Sequence, residues 1–154
     1  MPLLVRAATE ADGARSGMIG RDAIRDIFHR ALFPPHLAHK SETGDLGLNE
    51  AQWRATRILR RIRDGQPTFV VAGVAEDGSA AEQVVGVAEW QQPSQSPPSA
   101  AATVATNDAV PGSLDLEKAE EMFRVMTDEA KKVLGPDWHK DTWYLAHLAI
   151  DPNH

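Results

Sequence analysis

The apolar and polar positions along the chain alternate between strand-like and helix-like patterns. Residues 3–8 (Leu-Leu-Val-Arg-Ala-Ala) form a short apolar run. Thr9, with Asp12 three positions later, is typical of a helix start. Across residues 22–32 the apolar positions recur at spacings of three and four, which predicts an amphipathic helix ending at Phe33-Pro34-Pro35. The chain is therefore expected to begin with a strand followed by helix.

A second helix is predicted from Asn49, with Gln52 completing a capping box. Behind it, five apolar residues form one stripe: Ala51, Ala55, Ile58, Leu59 and Ile62. Arginines occupy another face of the same helix, at positions 54, 57 and 61. Such a charged face is usually solvated, although it could also bind a phosphate or carboxylate. We expect the solvated face.

Two neighbouring strands, residues 68–74 and 83–90, are predicted by β-branched and aromatic residues on either side of an Asp-Gly turn. They are close enough in sequence to pair as an antiparallel hairpin, but their connection of about eight residues is longer than the tightest hairpins and leaves the register open. Gly86 inside the second strand indicates a bulge or a close backbone approach.

Residues 93–113 are rich in Pro, Ser, Ala and Thr and have no regular period, so we expect a flexible insertion. A helix is predicted over 114–134, with acidic residues at its start and Gly135-Pro136 at its end. Residues 143–150 read as a strand too apolar for an edge, and hence central. The order β-α-α-β-β-α-β predicts a single α+β domain over 1–154, with a mainly antiparallel sheet flanked by helices.

Composition narrows the function. The 154 residues contain no Cys, which excludes disulfide scaffolds, zinc ribbons and thiol nucleophiles. A net charge of −6 argues against a sequence-independent grip on nucleic acid. No apolar run reaches the roughly 20 residues that cross a bilayer, and no signal core opens the chain. We therefore expect a cytoplasmic protein that binds neither nucleic acid nor membrane.

Motif searches exclude several chemistries. The sequence has no Gly-rich phosphate loop, no Gly-x-Ser-x-Gly and no His-Glu-x-x-His. His36 and His39 share a loop but lack further ligands, so no metal site is expected.

The segment Tyr144-Leu-Ala-His-Leu-Ala-Ile-Asp-Pro152 resembles the central strand and Asp-Pro turn of the GNAT N-acetyltransferases. Residues 85–90 (Val-Gly-Val-Ala-Glu-Trp) are similar to that family's third strand, and the element order agrees over the whole chain. Phe33-Pro34-Pro35 and the polar insertion look most like fungal members. The family's pyrophosphate loop would follow His154, so the resemblance implies an N-terminal portion, incomplete at its C-terminus.

The resemblance implies an acetyl-CoA-dependent N-acetyltransferase that acts on a small amine. Main-chain groups of Leu148, Ala149 and Ile150 would pair with the pantetheine arm. Glu89 would be a catalytic base if burial raises its pKa, and Trp90 beside it would line the substrate site. An exposed strand-end carboxylate is the alternative for Glu89.

Strict strand alternation places Tyr144 on one face with Leu148 and Ile150, toward the acceptor, and His147 on the other face. Tyr144 is thus a catalytic candidate. His147 is expected to be structural, unless a local bulge makes it catalytic.

Two further interpretations remain open. The chain could be a non-catalytic GNAT-like binding or interaction domain, or an unrelated α+β domain whose Leu-Ala-Ile-Asp-Pro is a coincidence. An incomplete sheet would expose an apolar edge, so we expect a homodimer or completion by a second chain carrying the C-terminal half.

Overall fold

The computed structural model describes residues 2–24, 29–73, 82–94 and 110–154. Four strands form one antiparallel sheet in the order β1-β2-β3-β4: Leu3–Ala7, Thr68–Gly73, Gln83–Gln91 and Tyr144–Ile150. The helices are α1 (Gly13–Ala23), α2 (Arg30–Leu32), α3 (Leu46–Arg63), α4 (Leu116–Leu134) and α5 (Trp138–Asp141). Short 3-10 turns cover Glu10–Asp12 and Pro35–Lys40. The predicted α+β class, with a mainly antiparallel sheet and flanking helices, is confirmed.

One face of the sheet is covered by α1, which packs on β3 and β4 while α3 packs on α1. Ile19 of α1 meets a cluster of buried strand residues, Val70, Val84, Val87 and Ala149. The two helices approach closely at Gly17, where an added Cβ would lie 2.4 Å from the Ala51 carbonyl oxygen. A larger residue there would push α3 away from α1.

A second apolar cluster lies on the far side of α3. It joins α2, α3 and the start of α4 through Leu32, Phe33, Trp53, Leu114 and Ala119. Phe33 and Trp53 pack edge to face, with ring centroids 5.9 Å apart. The helices thus form two layers on the same side of the sheet.

The predicted start at Thr9 is confirmed. The Asp12 carboxylate accepts from the Thr9 amide at 2.7 Å and pairs with Arg6 at 2.8 Å. The hydrogen bond from Arg6 is the main reason that the pKa of Asp12 falls to about 2.

The predicted start of α3 at Asn49 is wrong. The cap is Asp45, whose carboxylate accepts from the amides of Gly47 and Leu48 at 2.8 and 3.1 Å. Asn49 is buried one turn inside the helix, where its side-chain amide donates to Ser113 at 3.0 Å.

Strand β4 is at the edge of the sheet and pairs with β3 alone, so its predicted central position is not observed among the described residues. The sheet face opposite α1 carries large apolar side chains that are each more than a third exposed: Leu3, Val5, Phe69, Trp90, Leu145, Leu148 and Ile150. An open apolar face of this extent replaces the buried environment that the composition of β4 suggested.

Two sequence predictions fall partly outside the described residues. The predicted helix over 22–32 includes residues 25–28, and most of the predicted insertion at 93–113 lies within 95–109. In the part of the chain that the structure describes, no helix is long and apolar enough to cross a bilayer.

Candidate active site

A carboxylate and an imidazole meet on the covered face of the sheet, where β3 pairs with β4. Glu89 and His147 are register partners, and His147 Nδ1 lies 2.9 Å from Glu89 Oε1. Glu89 is buried, and the other ring nitrogen, His147 Nε2, is buried without a hydrogen-bond partner among the described residues. The predicted exposed alternative for Glu89 is therefore ruled out.

Arg61 reaches the same carboxylate from α3. Its Nε lies 3.1 Å from Glu89 Oε2, within ion-pair distance, but its N–H is not aligned for a hydrogen bond. The guanidinium hydrogen-bonds elsewhere, donating to the Trp90 carbonyl at 2.6 Å and to Gln91 Oε1 at 3.2 Å. Glu89 therefore has one aligned side-chain donor, His147, and one arginine within ion-pair distance, Arg61.

The Glu89 carboxylate is ionised. Burial alone would raise its pKa, but the hydrogen bond from His147 and the charges of His147, Arg57 and Arg61 outweigh burial and lower it. The raised pKa expected for a basic Glu89 is therefore not found. An ionised carboxylate only accepts hydrogen bonds, so Nδ1 of His147 carries the hydrogen, and in the neutral ring Nε2 is left as the acceptor.

A bulge in β4 changes which side chains share this face. Glu89 pairs with His147 and Trp90 with Leu145, so Ala146 is the extra residue. Tyr144 pairs with Gln91 and hence lies on the same face as Glu89 and His147. The strict alternation that separated Tyr144 from His147 is therefore wrong at this point.

Tyr144 is half-buried and packs edge to face on Trp138, with ring centroids 4.8 Å apart. Burial raises the pKa of its phenol, so Tyr144 stays protonated at neutral pH. It can donate a proton or a hydrogen bond on the side of the sheet where Glu89 lies.

Trp90 is on the opposite face of the sheet from Glu89, among the exposed apolar residues. The side chains of Leu148 and Ile150 lie there too, whereas Ala149 is buried under α1. Trp90 and Glu89 thus lie on opposite faces of the sheet, and the substrate-lining role of Trp90 stays a prediction.

The main-chain groups of β4 divide between β3 and the open edge. The Asp151 amide donates to the Val85 carbonyl at 2.8 Å. Because hydrogen-bonded pairs alternate in an antiparallel ladder, the groups of Ala149 also face β3, and those of Leu148 and Ile150 point to the edge. Two of the three predicted cofactor-binding residues therefore present free main-chain groups.

Asp151 ends β4 in a fixed turn. Its carboxylate accepts from the Asn153 amide and side chain, both at 2.9 Å, and pairs with Arg15 of α1. The end of the edge strand is thereby tied to the helix that covers the sheet.

A second carboxylate cluster lies between α2 and α3. Glu50 is completely buried and accepts from Arg54 Nε at 2.8 Å, while His29 Nδ1 lies 2.5 Å from its other oxygen. Gly20 of α1 separates this cluster from the first: a Cβ there would lie 3.3 Å from both Arg54 Cδ and His147 Cε1.

The arginine face of α3, expected to be solvated, points inward. Arg54 is buried against Glu50, Arg61 contacts Glu89, and Arg57 lies over the rings of Trp53 and Phe123. Burial lowers the pKa of the Arg57 guanidinium, and the charge of Glu89 opposes that shift only in part. The expected solvated face is therefore wrong for these three arginines, which contact carboxylates and aromatic rings of the chain itself.

Within the described ranges, no three His, Asp or Glu side chains converge in a way that could hold a metal ion.

Comparison with known proteins adds little. No protein-family model matches the chain, and no curated protein matches it. One solved structure, mosquito arylalkylamine N-acetyltransferase like 5b, superposes with a TM-score of 0.47 and 18% identity over 99% of this chain. The present chain spans 63% of the length of that protein.

The sequence left Glu89 open between a buried base and an exposed strand-end carboxylate, and the structure shows it buried. It also predicted a structural His147 and a solvated face for Arg57 and Arg61. Their signals were present in the sequence, as a lone His in an apolar strand and as arginines at helical spacing. Neither signal shows whether a helix packs over these side chains or whether they face solvent.

Proposed function

We propose that this chain belongs to an acetyl-CoA-dependent N-acetyltransferase that acetylates a small amine. The observation that carries the proposal is the Glu89–His147 pair, in which Nδ1 is held at 2.9 Å and Nε2 is left without a partner. Support also comes from the resemblance of residues 85–90 and 144–152 to GNAT strands, and from the open edge of β4.

The pair is suited to removing a proton from an amine. At neutral pH an alkylamine carries a proton and cannot attack a carbonyl carbon, so a base must remove it first. Nε2 of His147 is buried beside Gly20, so it would take that proton once the amine displaces this packing; the ionised Glu89 would then stabilise the imidazolium through Nδ1. His147 thus has the catalytic role in this proposal, and Glu89, which acts through it, becomes a positioning residue.

The edge of β4 is suited to an extended, amide-containing ligand. Free main-chain groups of Leu148 and Ile150 can pair with such a ligand as an added strand would. When bound, acetyl-CoA would supply the acetyl group as a thioester. Ala149, whose groups face β3, would position the strand without touching the ligand. Tyr144, still protonated, is the candidate proton donor on the acceptor side.

The test combines calorimetry with a transfer assay. We expect micromolar binding of acetyl-CoA and acetylation of members of a panel of small amines. We expect His147→Gln to lower kcat at least about 10²-fold without weakening acetyl-CoA binding. His39→Gln, in an exposed loop, is the matched control. Unchanged kcat in His147→Gln would exclude His147 as the base.

A non-catalytic interaction domain is the second candidate, favoured by the open apolar face of the sheet. On that proposal a second copy, or a chain completing the sheet, covers this face. Sedimentation velocity distinguishes the two candidates. A stable dimer with no acetyl-CoA binding supports the interaction domain, and acetyl-CoA binding by a monomer rejects it.

A further inference from the structure

Arg57 is held differently from the arginines on either side of it along α3. Its guanidinium carbon lies 5.0 Å from the Trp53 ring centroid and 5.4 Å from that of Phe123. Among the described residues no carboxylate lies within ion-pair distance of it, and it makes no hydrogen bond. The side chain is only partly exposed, so water replaces those partners incompletely.

The neighbouring arginines are compensated. Arg54 pairs with Glu50 at 2.7 Å, and Arg61 lies 3.1 Å from Glu89. Glu50 is paired with Arg54 and Glu89 with Arg61. The charge of Arg57, on the same inward face of α3, therefore has no ion-pair partner among the described residues. Partly buried charge without a partner is costly, and such a group is suited to an anion that arrives with a ligand.

The two aromatic rings fix the orientation of the guanidinium. The two cation–π contacts hold the guanidinium against the rings, and its N–H groups donate to no described residue. A fork of parallel N–H donors matches the two oxygens of a carboxylate. Arg57 lies one helical turn before Arg61, whose Nε is 3.1 Å from Glu89 Oε2, so Arg57 and the Glu89–His147 pair border the same region.

We propose that Arg57 binds the carboxylate of the acceptor, and that the acceptor is therefore an amino acid rather than a simple amine. The ammonium group of the acceptor faces the Glu89–His147 pair, and its carboxylate faces Arg57. This inference rests on the proposed function and names its substrate class.

The test uses two probes with the same skeleton, phenylalanine and phenethylamine, which differ by the carboxylate. Calorimetry without acetyl-CoA measures their binding to the full chain. We expect phenylalanine to bind at least about tenfold more tightly. Arg57→Gln should remove that preference, and Arg57→Lys should keep part of it. Arg60→Gln, an exposed arginine of the same helix, is the control and should leave the preference intact.

The outcomes separate the two proposals. Equal binding of the probes by the wild-type chain, or binding of neither, overturns the assignment of Arg57 without any variant. Binding of phenylalanine that depends on Arg57, with no acetyl-CoA binding or transfer, upholds the carboxylate site and rejects the acetyltransferase.

A folding control excludes a purely structural role. Methionine preserves apolar contact with Trp53 and Phe123 but removes the uncompensated charge. We expect the melting temperature of Arg57→Met to be no lower than that of the wild type, with the preference for phenylalanine lost. A lower melting temperature with the preference unchanged would assign Arg57 to packing and overturn the proposal.

Discussion

The chain contains two clusters of the same composition that differ in how completely their groups are paired. In one cluster Glu50 is paired with His29 and Arg54, and in the other Glu89 is paired with His147 and Arg61. Both use an imidazole Nδ1 and an arginine from α3. Glu50 is fully buried, and its arginine is aligned for hydrogen bonding. Glu89 has a misaligned arginine, and its histidine keeps a free Nε2.

The difference separates structure from chemistry. A carboxylate whose donors are all aligned holds its elements together and has no capacity left for a ligand. A carboxylate that orients an imidazole with an unpartnered nitrogen can support proton transfer. Residue types alone would not distinguish the two clusters; the alignment of the arginine and the burial of the unpartnered His147 Nε2 do.

The largest expected effect is on stability, at Glu50. Glu50→Gln keeps the shape of the side chain but leaves the buried charge of Arg54 uncompensated, which costs about 3 to 5 kcal/mol. Glu89→Gln should cost only about 1 kcal/mol, because Arg61 keeps the Trp90 carbonyl and Gln91 as acceptors. Urea unfolding of both variants measures the contrast. Equal losses would show that the clusters are energetically equivalent.

The next effect is on transfer, at Glu89. Glu89→Gln removes the negative charge that stabilises the His147 imidazolium, so we expect kcat to fall about 10²-fold, or roughly 3 kcal/mol, with KM little changed. For Glu50→Gln the activity should follow the folded fraction alone. A higher KM with an unchanged kcat would place Glu89 in substrate binding instead.

Local features of the fold were predictable from the sequence. The Thr9–Asp12 start depends on residues three apart, and the hairpin of β2 and β3 on contiguous strand formers around a turn. Gly86 was expected to mark a bulge or close approach. Val85 beside it has no register partner on β2, and a Cβ on Gly86 would meet Ile150 at 2.8 Å.

Features that depend on distant residues were not predictable. Asp45 and Asn49 are both good caps, and only the contact of Asn49 with Ser113, 64 positions away, removes it from that role. The bulge at Ala146 is defined by the pairing of β4 with β3, a strand more than 50 positions earlier, and residues 144–150 by themselves do not reveal it. The arginine periodicity of α3 defines a face, but the layers packed around that face decide whether it is solvated.

A smaller effect is expected in the pH dependence of stability. Because the pKa of Glu89 is lower in the folded chain, its ionised form stabilises the fold above the unfolded pKa of about 4.5, and this contribution is lost as pH falls through the folded pKa. Urea unfolding midpoints between pH 6 and pH 3 should therefore fall less steeply for Glu89→Gln than for the wild type. Parallel curves would mean that Glu89 has the same pKa in both states.

The smallest expected change in stability is at Gly20, which touches both clusters. A Cβ there would lie 3.3 Å from Arg54 Cδ and from His147 Cε1, so each must shift by a few tenths of an ångström. Alanine has a helix propensity about 1 kcal/mol more favourable than that of glycine, and this offsets the crowding. The free energy of unfolding of Gly20→Ala should therefore lie within about 1 kcal/mol of the wild-type value. Transfer should still fall about three- to tenfold, because a displaced imidazole misplaces Nε2. Gly47→Ala, which crowds only the Asp45 cap, is the control and should keep full kcat per folded molecule. If Gly20→Ala also keeps full kcat, the position of the His147 ring does not limit the reaction. The buried Nε2 would then have no part in the chemistry, and the Glu89 cluster would be structural like that of Glu50.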